Sequence, residues 1–124
     1  MTSERAVRAI RGATTVDEDT AGQVTDRTVA LLAAMLERND VDHDDLISIL
    51  FTATDDIHSM FPAAPARKFG WGDVPLICAR ELDIDNATPR CIRVLIHLNT
   101  ERTRRELHHV YLEGARGLRD DLPE

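Results

Sequence analysis

The chain has 124 residues, enough for one compact domain and short for two, so residues 1–124 are expected to form a single domain. Hydrophobic residues at 43% and charged residues at 30% suit a globular protein with a core. Aromatics at 4% argue against a stacking platform for single-stranded nucleic acid, and a net charge of −7 argues against wide contact with a phosphate backbone, though neither opposes a local basic pocket.

Met1 to Arg8 is too short and polar for a signal peptide, and no apolar run reaches membrane-spanning length. A cytoplasmic protein without membrane association is expected, with Cys78 and Cys91 reduced. Ala6 to Ile10 reads as a first strand and Arg11-Gly12-Ala13 as its exit, the glycine letting the backbone turn. Thr20-Ala21-Gly22-Gln23 fits a capping box. Behind it Ala21, Val24, Thr28, Leu31, Leu32 and Met35 form one stripe at helical spacing, predicting a helix that ends near Asn39 as C-cap. Asp42 to Asp45 starts a helix or turns the chain into the next strand, Leu46 to Thr54, where Ile47, Ile49 and Phe51 alternate with Ser48, Leu50 and Thr52.

Phe61 to Phe69, with two prolines and several alanines, reads as a loop containing one tight helical turn, leading to Gly70-Trp71-Gly72. Val74 to Leu82 is a strand, and Pro75 at its start points to an edge or strand-entry position. Asp83 to Pro89 is a polar connection. Ile92, Val94, Ile96 and Leu98 make one apolar face of a further strand, with Arg93, Leu95 and His97 on the other. Thr103 to Glu106 caps a short turn, His109 to Leu112 is a last strand, and Leu118 to Glu124 is a polar tail. The result is an α+β fold, a five-stranded sheet with one long helix packed on it. One helix cannot cover both faces of such a sheet, and a homo-oligomer is the simplest way to bury the second.

Several residues could carry chemistry. Arg11 ends the first predicted strand, Arg67 lies in the proline-rich loop, Arg93 sits opposite a wholly apolar face, and Arg119 lies near the C-terminus. Glu81 is surrounded by apolar strand residues, and Tyr111 is the only tyrosine. Taken singly, each has a plain reading: strand-end arginines are usually solvated charges, a strand glutamate is usually exposed or paired, and the two cysteines are small core residues. There is no CxxC pair, Asp55, Asp56 and His58 lack metal-ligand spacing, and His108 and His109 as strand neighbours would point apart, so no metal site is expected.

Together these residues resemble a known family. Arg11-Gly12-Ala13-Thr14-Thr15-Val16 is similar to the RGATTV signature of AroH-class chorismate mutases. Further matches follow in order: Ala53-Thr54-Asp55, Phe61-Pro62-Ala63, Val74-Pro75, Cys78 with Glu81, Cys91-Ile92-Arg93-Val94, and His109-Val110-Tyr111-Leu112-Glu113. The resemblance covers about Arg8 to Leu122. It implies a five-stranded mixed sheet with one long helix, assembled as a homotrimer with a pseudo-α/β-barrel core and with active sites in clefts between subunits. It also implies conversion of chorismate to prephenate by a [3,3] sigmatropic rearrangement in aromatic amino acid biosynthesis, without cofactor or covalent intermediate.

By the same resemblance, Arg93 reaches the ether oxygen that gains charge, Arg11 holds the side-chain carboxylate, and Tyr111 adds a hydrogen bond. Glu81 with Cys78 matches the pair at the ring hydroxyl; Phe61, Ala63, Arg67 and Leu118 match positions that line or close the cleft, Arg67 toward the ring carboxylate. Four departures bear on affinity and closure: Ala64 stands where the family pattern often has lysine, Ile77 where it has threonine, one residue is deleted between Arg67 and Val74, and the tail ends at Glu124. The alternative is a non-catalytic trimeric protein of the same fold that binds a small carboxylate with the same arginines.

Overall fold

The computed structural model describes residues 5–118. The first strand, β1, spans Ala6–Thr15, so it does not turn at Gly12 as the sequence suggested. Gly12 lies inside the strand under the long helix α1, Ala21–Asn39, and a Cβ there would stand 2.4 Å from Met35 Sδ. The glycine serves close approach of strand and helix, not a bend.

α1 begins as expected: Thr20 Oγ1 accepts from the Gln23 backbone N–H at 3.2 Å. The reciprocal half of the box is absent, because the Gln23 side chain accepts instead from the N–H groups of Asp17 and Glu18. Val24, Thr28, Leu31, Leu32 and Met35 are buried as the stripe predicts, whereas Ala21 is exposed. The left-handed cap is Asp40 (φ 50°), one residue past the expected Asn39. Asn39 is buried: its amide donates to Met35 O and His108 O, and its oxygen accepts from His108 N, which ties the helix end to the segment before the last strand.

A turn of tight helix at His43–Asp45 leads into β2, Leu46–Ala53. The chain then makes one α-helical turn, α2 at Ala63–Ala66, continued by a wider turn at Arg67–Trp71 in which Gly70 takes φ 103°. Trp71 is buried, edge-on to Phe69. β3 is Leu76–Arg80, shorter than the expected Val74–Leu82, and β4 is Cys91–Thr100. A tight turn at Arg104–Glu106, closed by a full Thr103/Glu106 capping box, precedes the two-residue β5, Val110–Tyr111. The polar tail after Leu118, including Arg119, lies outside the described residues.

The sheet order is β3-β2-β4-β1-β5, antiparallel across β2/β4/β1 and parallel at both edges. β3 is an edge strand, in keeping with Pro75. The core lies between α1, α2 and one sheet face, where Ile10, Ile49, Phe51, Val94, Ile96 and Leu98 meet Leu31, Leu32 and Met35. The opposite face carries Val7, Ala9, Leu50, Ile77 and Leu95, and no described helix covers it; Val7 is 61% exposed and Ile77 65%.

Candidate active site

Register places the charged residues on that open face. Thr52 of β2, Arg93 of β4 and Ala13 of β1 lie side by side, and Ala13 pairs in turn with Tyr111 of β5. The next row on the same face is Leu50, Leu95 and Arg11. Arg11, Arg93, Glu81, Tyr111 and Thr52 thereby line one depression of about 170 Å³, floored by Ala13, Leu50 and Leu95.

Each group is held in place. Glu81 follows β3, and its N–H donates to Ala53 O at 3.0 Å, extending the β2/β3 ladder by one bond. Its carboxylate accepts from Thr52 Oγ1 at 2.7 Å and stands 3.6 Å from Arg93 Nε. The Arg93 side chain remains 45% exposed, so its guanidinium is braced on one side and open on the other. The Arg11 backbone N–H donates to His109 Nδ1 at 3.0 Å, anchoring the strand where no β5 residue pairs with it. Leu118 packs on Ala13, Cys91, Tyr111 and Ala115 and closes one end of this face. Cys91 is a core residue, and burial pushes its thiol up, away from nucleophilic behaviour.

The remaining expected residues lie elsewhere. Cys78 pairs with Phe51 in the ladder, so its side chain projects to the side of β3 opposite Ile77 and Ala79. With Phe61, Pro62, Ala64 and Arg80 it lines a second, wider cleft of about 900 Å³ beneath the 54–62 loop. Phe61 is 73% exposed at this cleft. Ala63, expected as a lining residue, is turned into the core by the α2 turn, and Ala64 faces the cleft in its place. Arg67 is exposed and lines neither depression.

The carboxylates around the cleft act as pins. Asp55 receives a two-point ion pair from Arg80, Nε to Oδ1 at 2.9 Å and Nη2 to Oδ2 at 2.6 Å, which holds the aspartate's pKa below its ordinary value. Asp56 accepts from the Arg90 backbone N–H at 2.9 Å. Asp19 accepts from Ser59 and His58 N–H groups, and these bonds, with Ser59's side chain foremost, lower its pKa. Sequence reading missed Thr52 as the partner of Glu81, His109 as the anchor of Arg11, and Arg80 altogether. The alternation in β2 put Thr52 on the face away from the core, but only the ladder shows which carboxylate it meets.

Comparison with known proteins points to one family. The family model for chorismate mutase type I matches residues 7–122. The chain is 39% identical over 117 residues to the chorismate mutase AroH of Bacillus subtilis (strain 168), covering 94% of this chain and 92% of that protein. It is 45% identical over 117 residues to the chorismate mutase AroH of Thermus thermophilus, covering 94% and 96%. Among solved structures, a chorismate mutase from Clostridium thermocellum superposes with a TM-score of 0.85 at 45% identity, covering 87% of this chain and 96% of that one.

Proposed function

This chain belongs to the type I chorismate mutase family and is a chorismate mutase, and from that premise we propose how its own residues carry the rearrangement of chorismate to prephenate. The reaction breaks an ether bond as a carbon–carbon bond forms, with no proton transferred and no nucleophile. What remains for the protein is to hold a flexible dianion in its compact conformer and to stabilise charge where it develops.

Arg93 is the cation at the ether oxygen. A guanidinium is always charged and presents donors in a fixed fork, so a braced one is preorganised for the transition state. The observation that carries this reading is the Thr52–Glu81–Arg93 chain at 2.7 and 3.6 Å, which restrains the arginine while leaving it accessible. Arg11, two residues before Ala13 on the neighbouring strand, takes the side-chain carboxylate, and Tyr111 adds a hydrogen bond. Glu81 faces the ring hydroxyl and favours the partly cationic ring, with Cys78 contributing from its own cleft, and Arg67 favours the ring carboxylate.

The site is completed by a second copy of the chain. The depression around Arg93, at about 170 Å³, is smaller than the several hundred Å³ typical of small-molecule sites. Cys78 and Phe61 line a different cleft across β3. The open sheet face leaves Val7, Ile77 and their neighbours in water. A homotrimer whose sheets form a pseudo-α/β barrel would bury that face and set the arginine side of one subunit against the Phe61/Cys78 cleft of the next.

The test is to incubate the purified protein with chorismate, follow prephenate formation, and measure the mass in solution. Prephenate with a mass near three chains is expected. Tight binding of chorismate or a simple carboxylate without turnover would favour the binding-protein alternative.

A further inference from the structure

The wider cleft holds a group to which the roles above assign no work. Its wall is largely apolar, formed by Ile57, Met60, Phe61 and Pro62, and Arg80 brings a guanidinium into it. Arg80 follows Cys78 by two residues on β3, so both side chains project to the same side. Asp55 lines the same cleft and holds the guanidinium by both forks. The Arg80 side chain is 80% exposed, and an ion pair so open to water contributes little net stability. A carboxylate presented by a ligand can therefore take the place of Asp55 at small cost, since the fork accepts either one in the same two-point geometry. Unpaired, Asp55 would repel an anion entering the cleft; Arg80 both neutralises it and offers a partner.

We propose that Arg80 is a specificity-determining residue that anchors a carboxylate of the substrate at the 54–62 cleft, with Asp55 as the stand-in that keeps its fork extended while the site is empty. This rests on the reading that the cleft forms part of the chorismate site. Arg80 lies away from the Arg93 depression, on the other side of β3, so its contribution is to binding and appears in KM with little change in kcat.

Steady-state kinetics of Arg80→Gln, Asp55→Asn and the double variant Arg80→Gln/Ala64→Lys test it. With the neighbouring subunit set against the cleft, the pair to the substrate is held out of bulk water, so Arg80→Gln should raise KM about ten-fold or more, the scale for losing such a charge-assisted pair, with kcat within about three-fold. Asp55→Asn should leave KM unchanged or lower it, because the competitor is gone. Ala64→Lys, on the same cleft wall, should bring the KM of Arg80→Gln back most of the way.

A KM for Arg80→Gln within two-fold of the unaltered protein overturns the proposal. So does an equal rise in Asp55→Asn, which would mean that the pair only braces the loop. If Arg80→Gln melts early, Arg80→Lys carries the test: with the charge kept but the fork lost, KM should rise about three-fold or more, and an unchanged KM overturns the proposal. Failure of the unaltered protein to form prephenate would instead strike the reading on which this one rests.

Discussion

Arg93→Ala separates charge stabilisation from architecture. The deleted guanidinium is 45% exposed, and its pair with Glu81 is long at 3.6 Å, so its loss should cost less than about 1 kcal/mol of stability. The same deletion removes a donor aimed at developing charge, for which about 3 kcal/mol or more of transition-state stabilisation is at stake, a loss in kcat of roughly a hundred-fold or greater. Glu81, still held by Thr52, would then face the incoming dianion uncompensated, so KM should rise as well. Arg93→Lys should recover little, because an ammonium has no fork to span Glu81 and the ether oxygen together. The assay is chorismate disappearance with prephenate measured directly, beside a thermal melt of each variant. A kcat for Arg93→Ala within ten-fold of the unaltered enzyme, with the melt unchanged, would refute the role given to this side chain.

Three further outcomes are expected. If each site joins the Arg93 face of one subunit to the Phe61 cleft of another, Arg93→Ala and Phe61→Asp should each be inactive alone, and reassembling equal amounts should restore about a quarter of full activity, the fraction of sites with two intact halves; no recovery from demonstrably mixed trimers would place the whole site within one chain. Asn39→Ala should destabilise the protein by about 1–3 kcal/mol in urea unfolding, since it removes three hydrogen bonds from a buried side chain to the backbone of Met35 and His108; a change below 0.5 kcal/mol, taken as a rough threshold, would count against it. Asp19, Asp55, Asp73 and Glu106 all have pKa values lowered in the fold, so they contribute stability that is full above their ordinary values of 3.8 and 4.5 and is lost as pH falls through the lowered ones. The melting temperature should therefore drop as pH is taken below about 4, and Asp19→Asn, which cannot titrate, should flatten that drop.

Much of the fold was legible because periodicity records which side of an element is dry. The stripe from Val24 to Met35 and the run Ile92, Val94, Ile96, Leu98 each predicted a buried face, and both faces are buried. Thr103 and Glu106 predicted a capped turn from spacing alone, and both capping bonds form. The first strand was misjudged at Gly12 because a glycine that bends the chain and one that admits a neighbouring helix look identical in sequence. Met35, the residue that needs the space, lies 23 positions away and is brought there only by packing.

The site divides along the same line. Arg11, Arg93, Glu81 and Tyr111 could be named only because the ordered motifs around them resemble a known family; taken singly, none of them is specific. Nothing in the order of residues says that Thr52 and Arg93 are ladder neighbours, that Glu81 sits between them, or that Cys78 turns to the far side of its strand. Those facts depend on strand register, which is set by long-range packing of one face against α1, and a one-residue slip would exchange every inward and outward side chain. Local pattern therefore determined the elements and the inventory of charges. Tertiary pairing decided which of those charges meet, and on which face of the sheet.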